Sequence, residues 1–151
     1  MGRYASETSV TSGASRAEIE RTLERYGATA FMYGWEGQSA MVCFQMRGRR
    51  IQLVLPLPDR ESPEFTQTPS GRRRKSPTQQ QAAYEQATRQ RWRALALVVK
   101  AKLEAVDTGI CSFDDEFLAH IMLPDGSTVG TAIAGQLEAS YAKGKMPRLL
   151  G

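Results

Sequence analysis

Between residues 47 and 100 the chain carries twelve Lys and Arg against four acids, while the remaining residues hold eight basic and twelve acidic side chains. The net charge of +4 therefore conceals a divided molecule, and a divided charge creates a field that selects polyanionic partners. Three groups make up the excess: Arg47, Arg49 and Arg50; Arg72, Arg73, Arg74 and Lys75; and Arg89, Arg91, Arg93 and Lys100. Each cation that neutralises a phosphate releases counterions, so adjacent guanidinium groups grip a nucleic-acid backbone without reading its sequence. Aromatic rings beside such cations can stack on bases, and Trp35 in the Gly34-Trp35-Glu36-Gly37 segment is the ring that packing alone explains least. The expected nucleic-acid-binding set is Arg47, Arg49, Arg50, Arg72, Arg73, Arg74, Lys75, Arg89, Arg93 and Trp35, with single-stranded DNA or RNA favoured. The plain alternative is a solvated charge cluster that keeps a loop soluble.

Other chemistry finds less support. His120 is the only histidine and lies in an apolar segment, which fits a packed ring better than a catalytic base. Asp114, Asp115 and Glu116 could group around Mg²⁺, but carboxylates in the first turn of a helix are explained by the macrodipole. No phosphate-cradling loop, dinucleotide fingerprint, HExxH or CxxC pattern occurs. Cys43 and Cys111 fit two reduced thiols better than a disulfide. The expectation is a non-enzymatic protein without metal or cofactor. No apolar leader or membrane span is evident, so a cytoplasmic setting is expected.

The elements that must position these residues follow from periodicity and punctuation. Residues 1–14 are small and polar and suggest a flexible arm; Ser15 with Glu18 forms a capping box ahead of a short amphipathic helix that Gly27 stops. Three strand-like runs follow, Ala28 to Tyr33, Ser39 to Met46 and Arg50 to Leu55, turning at Gly34–Gly37 and around Gly48. Four prolines between residues 56 and 76 argue for a long basic loop without regular structure. Ser76, Pro77 and Gln79 then open a helix expected to run from Pro77 to Asp107, ending at Thr108-Gly109. Its wheel is apolar on two sides, which predicts either a sandwiched helix or a subunit interface and makes a homo-oligomer an expectation. Ser112 with Asp115 starts a further short helix, and Ser127 or Asp125 caps a last one to about Ala142. With 151 residues, the expected fold is one α+β domain over 15–151: a three-stranded antiparallel β-meander packed on one long α-helix, with a short N-terminal helix and two C-terminal helices.

The segments Arg3-Tyr4-Ala5-Ser6-Glu7-Thr8, Leu55-Pro56-Leu57-Pro58, Gly71-Arg72-Arg73-Arg74, Arg91-Trp92-Arg93-Ala94-Leu95, Lys100-Ala101-Lys102-Leu103-Glu104 and Leu123-Pro124-Asp125-Gly126 resemble those of small phage and prophage proteins of unassigned function. The resemblance implies a setting, a phage or mobile element inside a host cell, and no activity. A meander followed by one long helix also looks like the core layout of single-strand annealing proteins. Two functions are expected: a protein that grips nucleic acid through a basic hairpin turn and loop, or an interaction module that modulates a host nuclease or defence complex.

Overall fold

Apolar residues alternating with polar ones build the centre of the molecule. The computed structural model describes residues 2–71 and 75–147. Strands β1 (Ala30–Glu36), β2 (Ser39–Met46) and β3 (Arg49–Pro56) form one open antiparallel sheet in the order β1-β2-β3. The register pairs Tyr33 with Val42 and Val42 with Leu53, so Phe31, Tyr33, Ala40, Val42, Phe44, Ile51, Leu53 and Leu55 share the inner face. The opposite face, with Met32, Met41, Cys43 and Val54, is left uncovered to differing degrees. β1 runs three residues past the expected Tyr33, because the reversal needs only Gly37 and Gln38, with Gly37 at φ +59°. Trp35 consequently lies in the strand, not in a glycine-flanked turn.

Helix α3 (Pro77–Asp107) has the expected bounds. The Ser76 hydroxyl accepts the Gln79 N–H at 3.2 Å while the Gln79 carboxamide accepts the Ser76 N–H at 2.9 Å. At the other end the Gly109 and Ile110 N–H groups donate to Val106 and Ala105 carbonyls, with Gly109 at φ +81° closing the helix. Tyr84, Thr88, Trp92, Leu95, Ala96, Val99 and Leu103 are buried on one stripe. The second apolar side is not sandwiched: Leu97 is 62% and Val98 44% exposed.

Helix α1 (Gly2–Arg25) packs along α3 through Ile19, Thr22 and Leu23. It begins thirteen residues before the expected capping box, so the N-terminal arm is helical and Ser15 lies inside the helix. Residues 2–25 contain no proline, and a helix nucleated by a packed segment extends at the cost of one residue per hydrogen bond. The Pro-rich segment also holds a short helix, α2 (Pro63–Thr66), since proline is tolerated in a first turn. Phe65 is buried there edge-on to Tyr84, with ring centroids 5.8 Å apart.

After α3, helix α4 (Phe113–Phe117) buries both its phenylalanines, capped by Ser112 as expected. A 3-10 turn, Leu118–His120, leads to Ile121, which bridges Ile51 at the free edge of β3. Helix α5 (Val129–Lys143) is capped by Thr128, not by Ser127 or Asp125, and buries no residue. It rests on the 3-10 turn and does not complete the core. Among the described residues no helix is long and apolar enough to cross a membrane.

Candidate nucleic-acid interface

The long helix and the sheet set where the cations go. Arg91 Nη1 donates to the Pro56 carbonyl at 2.8 Å, and Met46 and Arg47 line one cavity with Leu103, Val106 and Asp107. α3 therefore runs antiparallel to β3, and the two ends of β3 lie roughly 23 Å apart. Arg47, Arg49 and Arg50 sit at one end, while the Pro-rich segment leaves from the other. The hairpin turn and the start of the Pro-rich segment are thus separate places.

At the loop end, Lys75 Nζ donates to the Glu64 carbonyl at 2.9 Å, which ties the loop's base to α2. Arg72, Arg73 and Arg74 lie outside the described residues. Arg89 and Arg93 are exposed on α3, with Arg89 donating to Gln86 at 2.8 Å. Lys100 is exposed too, and on a wheel at 100° per residue Arg89, Arg93 and Lys100 fall within about 40° of one another. Asp107, eighteen residues and five turns beyond Arg89, continues that flank. Glu85 and Glu104 bracket the ridge.

At the turn end, Arg49 makes a two-pronged pair with Asp114, Nε and Nη2 standing 3.2 and 3.1 Å from its carboxylate oxygens. Its charge is already answered. Arg47 occupies the left-handed region at φ +51°, followed by Gly48 at +75°, the type I′ pattern of a two-residue hairpin. Its guanidinium lies 5.7 Å from the centre of the Phe113 ring. Arg50 is exposed on the outer sheet face, where its charge partly counters the burial that pushes the Cys43 thiol up.

Trp35 is half-buried, 6.0 Å from Tyr33, which in turn lies 5.3 Å from buried Trp92 and beneath Arg16. It belongs to an aromatic row at the sheet edge, remote from the hairpin turn that carries Arg47. Glu116 accepts from Lys102 at 3.3 Å and from the Cys111 thiol at 3.2 Å. That thiol bond is the main reason Cys111 titrates above its usual range, so it is a weak nucleophile at neutral pH. Burial, with Lys102 nearby, keeps His120 below its ordinary value. Among the described residues no three His, Cys, Asp or Glu side chains group to hold a metal.

The residues that sequence reasoning missed are Arg25, Tyr26 and Asp107. They join Arg47 around a cavity of about 340 Å³, floored by Met46, Leu103, Val106 and Phe113. The Arg25 guanidinium lies 5.5 Å from the Tyr26 ring centre. Among the described residues neither Arg25 nor Arg47 is ion-paired with a carboxylate. The only sequence signals were a cation closing a helix before Gly27 and the five-turn spacing from Arg89 to Asp107. No family model, no curated protein and no solved structure matches this chain, so its own side-chain chemistry carries the functional argument.

Proposed function

We propose that the protein binds a single-stranded nucleic acid along the exposed flank of α3, through the phosphate contacts of Arg89, Arg93 and Lys100, with Arg72, Arg73, Arg74 and Lys75 extending the track. The observation that carries this reading is the alignment of Arg89, Arg93 and Lys100 on one rigid, exposed flank. The helix holds these cations in a row, so ordering them costs less than gathering the same charges from a loop. Arg49, spent on Asp114, is no part of the track. The affinity of a labelled oligothymidylate, followed by fluorescence anisotropy against salt, tests it. Replacing Arg89, Arg93 and Lys100 together by Gln should flatten the log-log salt slope by about 2, at ~0.7 per single-strand phosphate contact. Unchanged affinity and slope would remove the proposal.

A second reading, an interaction module directed at a partner protein or at another copy of itself, draws on apolar surface the fold leaves open. α5 buries nothing, with Tyr141 84% exposed, and Met32 and Val54 stand uncovered on the outer sheet face. None of that surface includes the α3 cations, so the same triple substitution leaves such an interaction intact and separates the two readings.

A further inference from the structure

The cavity between the end of α1, the β2–β3 turn and the end of α3 has a composition that simple packing does not require. Its floor is apolar, with Met46, Leu103 and Phe113 all buried. Its rim carries Arg25 and Arg47 from different elements, each lying over an aromatic ring, and a single carboxylate, Asp107. A two-residue hairpin turn favours Asn, Asp or Gly at the first central position, and this chain places an arginine there at φ +51°. Non-glycine residues in this region store strain that concentrates at binding sites. The terminal carbonyls of both helices do not occupy the two cations: Thr22, Leu23 and Glu24 accept from Tyr26, Ala28 and Gly27, while Ala105 and Val106 accept from Ile110 and Gly109.

We propose that this cavity binds one nucleotide, its phosphate between the guanidinium groups of Arg25 and Arg47 and its base on the Tyr26 side, above the apolar floor. Three features select this class of ligand. Two cations with no carboxylate partner among the described residues fit a phosphate, and Arg offers the forked donors that phosphate oxygens accept. The volume, about 340 Å³, is at the small end of the roughly 300–1,000 Å³ range of organic-ligand pockets, large for an inorganic ion and sufficient for a base with its sugar. Asp107 can only accept hydrogen bonds while ionised, so it repels the phosphate and suits the base edge, where amino groups donate. Adenine, cytosine and guanine carry an exocyclic amino group and uracil does not, so the site should prefer the first three.

Asp107 also ends the α3 flank that begins at Arg89, which places the cavity where the last nucleotide of a bound strand would arrive. The inference rests on the proposed track only for that strand, because a free mononucleotide tests the cavity alone. Titration calorimetry at low salt with the 5′-monophosphates of cytidine, adenosine, guanosine and uridine, and with inorganic phosphate, provides the measurement. The amino-bearing nucleotides should bind more tightly than the uridine nucleotide and inorganic phosphate. Arg25→Gln and Arg47→Gln should each weaken them by about tenfold or more. Asp107→Asn should level the preference among bases, and Arg91→Gln, at the far end of β3 beside the Pro56 carbonyl, should leave mononucleotide affinity unchanged. Arg25 closes an exposed helix end outside the strained turn, so its variant keeps the test valid should the Arg47 variant unfold. Binding no tighter than that of inorganic phosphate, or indifferent to Arg25→Gln, overturns the proposal. If mononucleotides bind and oligonucleotides ignore the α3 triple, the cavity stands and the track falls; the reverse pattern keeps the track and removes the cavity. If a strand fragment carrying a terminal phosphate outcompetes the free nucleotide, the ligand is a strand end; if not, it is the free nucleotide.

Discussion

Arg47 tests whether one side chain serves a site at the expense of the fold. A left-handed non-glycine residue costs roughly 1–2 kcal/mol, least for Asn and Asp, whose short side chains bond locally. The contact of its guanidinium with Phe113 returns about 0.5 kcal/mol at an exposed site. Arg47→Asn, which creates the preferred Asn-Gly turn, should therefore raise unfolding stability by about 0.5 kcal/mol, as a higher urea midpoint at unchanged m-value. The same variant should lose nucleotide binding. A lower midpoint would mean that the arginine supports the fold, and the strain argument would go. The left-handed Arg47 was not legible in the sequence beyond the turn around Gly48, because whether the turn takes three residues, as expected, or the two it has depends on the register of β2 against β3. The individual cations were legible by type, but which of them is spent was not: Arg49 meets Asp114 across sixty-five residues.

Elements with strong local punctuation came out where their residues put them. The Ser76-Pro77-Gln79 box and the Gly109 terminator fix both ends of α3, and β2 has its expected bounds, since these signals are short-range. Elements decided by tertiary packing did not: α1 extends past its internal Ser15, α2 forms inside a proline-rich stretch because Phe65 finds Tyr84, and α5 stays outside the core. α5 offers a direct check. A Cβ on Gly130 would stand 2.9 Å from the Ala119 carbonyl oxygen, whereas one on Gly135 would meet nothing within 4 Å. Both Gly→Ala changes should favour the helix by roughly 1 kcal/mol in intrinsic propensity. Only Gly130→Ala should also unseat it from the 3-10 turn. Amide hydrogen exchange across residues 129–143 should therefore slow in Gly135→Ala and quicken in Gly130→Ala, with the main unfolding transition barely moved in either, because α5 buries no residue. Slower exchange in both would show that α5 does not depend on its seat at Ala119.

At the scale of the whole molecule, the charge asymmetry was plain in the sequence and its geometry was not. The cations from Arg47 to Lys100 are close along the chain, yet β3 holds the hairpin turn and the start of the Pro-rich segment roughly 23 Å apart, and only α3 reconnects them. That connection predicts a site size. From Arg89 to Asp107 the helix rises about 27 Å, at 1.5 Å per residue. At ~6 Å per extended nucleotide this takes about five nucleotides, near the lower limit of the ~4–16 found in single-strand grooves. Five described cations line this path without a carboxylate partner among the described residues: Arg25, Arg47, Arg89, Arg93 and Lys100. Because Arg25 and Arg47 share one phosphate, a five-nucleotide strand should thus bind with a log-log salt slope near −2.8, at ~0.7 per phosphate contacted. Gly71 and Lys75, which flank Arg72, Arg73 and Arg74, precede α3 in the chain, and a ten-nucleotide strand can extend past Arg89 toward the N-terminal end of that helix. Its slope should steepen by about 2 if all three arginines engage, and replacing the three with Gln should return it to the five-nucleotide value without altering the shorter strand. A salt slope that depends on strand length in this way requires one track running from the loop along α3 to the cavity. Equal slopes for the two strands would instead confine binding to a single end of the molecule.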